Sequence, residues 1–148
     1  METDTLEIPA AALDARELMS PAGETVRADT TVWEVVERFL TGPARHVVVV
    51  DGDRHCIGIV CTRHFSNLWP LDPARLKEAT VESLGLGGWI TLSPDDDLRT
   101  CARTLTEYQL DAAPVVDGEG RVLGVVTACD LARALADAPV PRRLSRQR

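Results

Sequence analysis

No stretch of this 148-residue chain reaches the roughly 18 consecutive apolar residues that a membrane span requires. The N-terminus METDTLEIP is acidic where a secretory leader is basic and then apolar, so a cytoplasmic protein is expected. Catalytic signatures are missing too: there is no Gly-x-Ser-x-Gly nucleophile elbow and no Walker phosphate loop. The three histidines, His46, His55 and His64, have no evident nucleophile partner, so the chain is not read as an enzyme. Excess positive charge is absent. The net charge is −7, and with the four arginines of residues 141–148 set aside residues 1–140 carry −11. Such a surface is a poor match for nucleic acid or an anionic membrane. Lysine is nearly absent, Lys77 standing against fifteen arginines, a mark of coding bias rather than of function.

Cysteine is present only four times, as Cys56, Cys61, Cys101 and Cys129, with neither paired C-x-x-C spacing nor a small secreted framework. Reduced, mostly buried thiols are expected. The set His55-Cys56 and Cys61-x-x-His64 contains zinc-type ligands. Strand alternation over 56–60 is expected to turn Cys56 and Cys61 to opposite faces, which argues against a metal site. Cys129 sits in a helix first turn, where thiol acidity can rise, so a redox role competes with that of a small buried side chain.

What the chain does have is 45% apolar and 26% charged residues, an ordinary globular composition, and an internal repeat. An offset of 66 superposes residues 22–65 on 88–131 without a gap. Eight positions are identical, among them Thr25 with Thr91, Asp29 with Asp95, Gly58 with Gly124 and the run Val49–Gly52 with Val115–Gly118. The apolar periods also change at matching places. Each copy opens with an extended segment, Glu24–Arg27 or Ile90–Ser93, with helix caps expected at Asp29 or at Ser93 and Asp95. Helical stripes follow, Val32, Val35, Val36, Phe39 and Leu40 in one copy and Leu98, Cys101, Ala102 and Leu105 in the other. Two apolar runs joined by Asp-Gly turns come next, His46–Val50 with Cys56–Val60 and Ala113–Val116 with Val122–Val126. Helices over Thr62–Leu68 and Ala128–Ala136 close the copies.

The fold class is therefore α+β: two β-α-β-β-α units packed sheet to sheet about a pseudo-twofold axis, since neither buries much alone. The organisation expected is a flexible 1–12, repeat one over 13–68, a linker over 69–79, repeat two over 80–138, and a flexible basic tail over 139–148. A short helix is expected to begin near Asp14, with Val81 and Leu84 in its counterpart.

These repeats resemble the cystathionine-β-synthase (CBS) domain, and the two copies resemble a CBS pair, or Bateman module. The resemblance rests on Glu17–Ser20, Thr25–Val36, Val47–Phe65, Thr80–Leu84, Ile90–Ala102, Ala112–Gly118 and Gly124–Leu131, and so covers about residues 15–137. It implies a regulatory or sensor module that binds an adenosine compound (AMP, ADP, ATP or S-adenosylmethionine) between the copies, with no tightly held cofactor. Thr127 and Asp130 would then hold the ribose, as a carboxylate accepts from both hydroxyls of a diol. The same Thr-x-x-Asp also forms a capping box that needs no ligand. The resemblance further implies that Gly23, Glu24 and Thr25 line this pocket, that Ala44 and Arg45 approach it, that Val125 lies beneath the base, and that Ala112 and Ala113 border it.

Copy one departs from the pattern, having Cys61 and His64 where copy two has Thr127 and Asp130. Its cleft, expected from His46, Cys61, His64, Trp89, Ile90 and Thr91, lacks the ribose carboxylate. Arg45 and His46 fall where some family members place phosphate contacts, whereas copy two has Asp111 and Ala112, and Asp111 would repel a polyphosphate. Homodimerisation through helices is also implied, with Val32, Trp33, Phe39, Phe65 and Leu131 serving either that contact or the core, and an unidentified effector protein as partner. Two other classes compete: an interaction module without nucleotide, and a metal or redox sensor using Cys61, His64 and Cys129.

Overall fold

The computed structural model describes residues 13–21, 25–65, 72–84 and 90–137. Each first helix begins at a side-chain cap. Helix α1 (Ala15–Leu18) starts at Asp14, which accepts the Glu17 N–H. Helix α2 (Val32–Thr41) starts at Thr31, whose Oγ1 accepts the Glu34 N–H at 3.2 Å. Helix α4 (Leu98–Glu107) starts at Asp97, whose Oδ1 accepts the Thr100 N–H at 2.7 Å. These caps lie two to four residues later than the sequence positions Asp29, Ser93 and Asp95. Asp96 instead accepts the Ser93 N–H and braces the preceding turn.

Strand β1 (Thr25–Arg27) runs parallel to β2 (His46–Val50), and β2 is antiparallel to β3 (Cys56–Cys61). In copy two, β4 (Ala112–Val116) pairs with β5 (Val122–Thr127). The segment expected to be its first strand shortens to a single parallel bridge, Leu92 with Val115. A single 3₁₀ turn, Thr62–Phe65, is the described part of the helix expected over Thr62–Leu68. The stretch read as linker carries a helix, α3 (Pro73–Glu78), capped by Asp72 with proline at its first position, followed by a 3₁₀ turn over Val81–Leu84. Helix α5 (Ala128–Asp137) closes copy two.

Alternation along the strands builds three apolar clusters. Val26, Val47, Val49 and Val60 face Val32 and Val35 of α2. Ala113, Val115 and Val126 face Leu98, Cys101 and Leu105 of α4 and Leu131 of α5. The opposite faces meet each other, Val48 and Val50 packing with Ala112, Val122 and Val125. The sheets therefore share an apolar seam.

The segments that precede the copies cross over. Ala15 and Leu18 of α1 are buried in the core of copy two and Val81 in the core of copy one, against which the half-buried Leu76 of α3 packs. Main-chain bridges repeat the exchange with the 66-residue offset, Asp14 pairing with Asp97 and Thr80 with Thr31. Val32, Phe65 and Leu131 are core residues, and Phe39 packs edge-on against Phe65 at 5.5 Å. Among the described residues no helix is long and apolar enough to cross a membrane.

Candidate functional site

Strand β5 ends at Thr127 and α5 begins at the next residue, so sheet and helix meet without a loop. There Thr127 Oγ1 accepts the Asp130 N–H at 3.0 Å while Asp130 Oδ2 accepts the Thr127 N–H at 2.9 Å. This reciprocal pair is a capping box. Asp130 is only 8% exposed, a buried carboxylate at the junction of the two repeats.

Its second oxygen looks across to the other end of the chain. Asp130 Oδ1 accepts the Ser20 Oγ–H at 3.1 Å, and the Arg133 guanidinium stands 3.9 Å away. Ser20 is held there because its backbone exchanges hydrogen bonds with Val125 of β5, at 2.9 and 3.0 Å. The close approach needs Gly124, since a Cβ at that position would lie 2.7 Å from the Ser20 carbonyl oxygen and 2.8 Å from Met19 Sδ. Sequence reasoning named Ser20 only as part of a matching stretch; no local signal ties it to a residue 110 positions away.

The opposing wall comes from copy one. Pairing sets Thr25 opposite Val48 and Cys61 opposite His46, on the strand faces that look toward copy two. Burial pulls His46 below the usual histidine range, and the Asp130 carboxylate opposes part of that pull. His46, expected in the copy-one cleft, is thus within electrostatic reach of Asp130. Thr127 shares its face with Val125, opposite Ala112 and Pro114 of β4. Ala113 points the other way, into the core of copy two. Ala44 is half-buried and Arg45 exposed, the Arg45 carbonyl accepting the Thr62 N–H. Cys61 is buried, Ile90 half-buried and Thr91 exposed. Gly23, Glu24, Trp89 and the side chain of His64 lie outside the described residues.

A groove of about 320 Å³ adjoins Asp130 between α1 and α5. Leu18, Met19 and Ser20 line one side of it, and Asp130, Arg133 and Ala134 the other. This is the small end of the size range of ligand sites.

The cysteines do not converge. A bulge in the β2–β3 ladder between Val49 and Val50 breaks the alternation of β3. Cys56 packs in the inter-sheet seam, and Cys61, paired with His46, shares that face, contrary to the expected opposition. Five residues of strand still separate them by roughly 16 Å. Cys129 is exposed, whereas Cys101 is buried and its thiol is pushed up to about 11 by burial and the Asp96 and Asp97 charges.

Asp51, Asp53 and His55 do approach one another, their ligand atoms within 4.8 Å. Turn chemistry accounts for this: Asp51 Oδ1 accepts the N–H groups of Asp53 and His55, and Oδ2 lies 3.0 Å from His55 Nδ1. The same turn recurs in copy two, where Asp117 accepts from Glu119 and Arg121, with arginine in the histidine's place.

The CBS domain family model matches residues 15–68 and 88–137. The chain belongs to the CBS domain family. As a CBS pair it is similar in fold to CBSX2, solved in complex with AMP, with TM-score 0.71, 22% identity and coverage of 84% of this chain and 96% of that one. The CBS domain pair of protein MJ0100, in complex with 5′-methylthioadenosine and S-adenosyl-L-methionine, matches with TM-score 0.69, 20% identity and coverage of 83% and 95%. A curated relative, L-aspartate semialdehyde sulfurtransferase of Methanosarcina acetivorans, is 24% identical over 82% of this chain. The match spans 23% of that enzyme's length. The CBS pair is thus a small part of such relatives.

Proposed function

We propose that this CBS pair is a regulatory module that binds an adenosine compound where the repeats meet, with Thr127 and Asp130 holding the ribose. The observation that carries this reading is the buried Asp130 carboxylate, placed at the inter-repeat junction and touched by both ends of the chain. The AMP and S-adenosylmethionine complexes of similar CBS pairs support it. Thr25, Ala44, Arg45, Val125 and Ala112, with Gly23 and Glu24, are assigned to the same pocket. His46 joins them through its proximity to Asp130. Ala113, turned into the core, is given backbone contact only.

Regulation follows from the placement. A diol on Asp130 competes with the Ser20 hydroxyl for Oδ1, so occupancy alters how the segment before β1 is held against β5. Differential affinity for two inter-repeat arrangements then shifts the population that a partner meets. Copy one, with Cys61 and His64 at the matching positions, offers no second ribose carboxylate, so one ligand per chain is expected. We assign the module to the cytoplasm, as a homodimer acting on an effector protein.

A second reading has one observation in its favour: both Asp130 oxygens are already partnered, as in a purely structural capping box. Thermal unfolding with AMP and S-adenosylmethionine separates the two, using wild type and Asp130→Asn, which keeps an acceptor for the Thr127 N–H. A ligand at 100 times its dissociation constant adds about 2.7 kcal/mol to wild type. That gain should be largely lost in Asp130→Asn. If no adenosine compound shifts the wild-type transition, the nucleotide reading is wrong and the interaction module stands.

A further inference from the structure

The exchange of preceding segments repeats in its hydrogen bonds as well as in its packing. The Ala79 carbonyl accepts the Val32 N–H that opens α2, at 2.9 Å, and the Leu13 carbonyl accepts the Leu98 N–H that opens α4, at 3.0 Å. Leu13 precedes Ala79, and Leu98 follows Val32, by the same 66 residues. Ala79 and Leu13 also pack alike, each half-buried against the core it enters. The chain therefore reaches the start of α4 along the path by which it reaches the start of α2.

On that path α2 is covered. Helix α3 ends one residue before Ala79 and packs along α2. Its Leu76 packs on the copy-one core, and Lys77 Nζ lies 5.3 Å from the centre of the Trp33 ring. Trp33 Nε1 in turn donates to Glu37 at 2.8 Å. The same offset brings residues 7–12, which lie outside the described residues, to the corresponding place before Leu13. Their composition suits a short helix, since Pro9 is compatible with a first turn, as Pro73 is in α3, and Ala10, Ala11 and Ala12 follow.

Charge is inverted between the two helices. Where α2 has Trp33 and Glu37, α4 has Arg99 and Arg103, both exposed and one helical turn apart on one face. The Asp97 carboxyl is held below the usual range chiefly by hydrogen bonds from Thr100 and further by both guanidiniums, so these stand over the end of α4 that Leu13 enters. The segments change sign with their helices. Helix α3 brings Arg75 and Lys77 beside Glu78, whereas residues 1–12 bring Glu2, Asp4 and Glu7 with no basic side chain, beside Leu6 and Ile8.

We infer that the outer face of α4, marked by Arg99 and Arg103, is a docking surface for an acidic, apolar segment, and that residues 1–12 of this chain occupy it as α3 occupies α2. The inverted charges assign each preceding segment to its own helix. This docking does not depend on what the cleft binds.

Amide exchange of the full chain, read on peptides that hold residues 6–12, tests it. Those amides should exchange at least about tenfold more slowly than in an unstructured chain. Arg99→Glu/Arg103→Glu should remove most of that protection, while unchanged protection in α2 and β2 reports that the variant is folded. Asp4→Arg/Glu7→Arg should remove it too. The two pairs combined should restore protection to within about threefold of wild type. Exchange at the unstructured rate in wild type overturns the docking. Protection indifferent to every charge reversal overturns the assignment to α4. Protection that falls on dilution places the segment on a second copy and overturns the intramolecular occupant.

Discussion

His46 and Asp130 share one electrostatic environment across the repeat junction, and the histidine records it. Burial lowers its folded-state pKa below that of an exposed histidine. The unfolded chain then binds more protons than the native one as the pH drops through about 6.5. Stability from this residue is complete above that pH and is lost as the pH falls toward the folded-state value. Thermal unfolding between about pH 5 and 8 should show wild type losing stability on the acid side more steeply than His46→Gln. Equal slopes would mean that His46 is solvated. At this scale the sequence was informative about Thr127 and Asp130, whose spacing is local, and silent about Ser20, whose bond to Asp130 spans 110 positions. The opposition expected of Cys56 and Cys61 failed for a local reason that spacing hides, a bulge in the ladder.

Two backbone positions carry predictions at the scale of elements. Gly124 lets the Met19-Ser20 segment lie on β5, and an added Cβ would sit 2.7 Å from a backbone oxygen that cannot rotate away. Gly124→Ala should cost about 2 kcal/mol in chemical denaturation, the scale of overpacking. A neutral substitution would show that the segment is not docked. The two hairpin turns provide the opposite case. Gly120 (φ +83°) and Arg54 (φ +68°) occupy equivalent places, and in the first copy a side chain bears the left-handed conformation. Arg54→Gly relieves about 1–2 kcal/mol of local strain and adds somewhat less unfolded-state freedom. A net gain of several tenths of a kcal/mol is expected, read as a raised Tm. Periodicity placed the long helices and the strand pairs. It did not place the caps, because Asp95, Asp96 and Asp97 are chemically equivalent and only the path of the chain chooses Asp97. Nor did it find α3, whose six residues are too few to show a full stripe.

For the whole molecule, the exchanged segments matter most. Leu18 precedes the first duplicated unit (residues 22–65) in sequence yet is buried among Leu92, Leu98 and Leu131 of the second. Leu18→Ala should destabilise the protein by about 2–4 kcal/mol. Amide exchange should show the first loss of protection in α4, α5 and β5, not in β2 and α2. Loss confined to repeat one would contradict the exchange. The inter-sheet seam of Val48, Val50, Ala112, Val122 and Val125 predicts that the repeats do not unfold independently. Val125→Ala should lower the stability of both by about 1–3 kcal/mol while a single transition is kept. Two separated transitions would show that the seam is weak.

The duplicated unit, its helical stripes, its strand alternation and the Thr127/Asp130 pair are written in the order of residues. Helical and strand periods, turn preferences and a three-residue capping interval all act over a few positions, so the chain displays them without folding. Which repeat each preceding segment packs against, where β3 bulges, and what faces the buried oxygens of Asp130 were decided only by tertiary structure. Those outcomes depend on burying apolar area and satisfying polar atoms between residues far apart in sequence. That is a property of the assembled pair of sheets and of no shorter stretch of the chain.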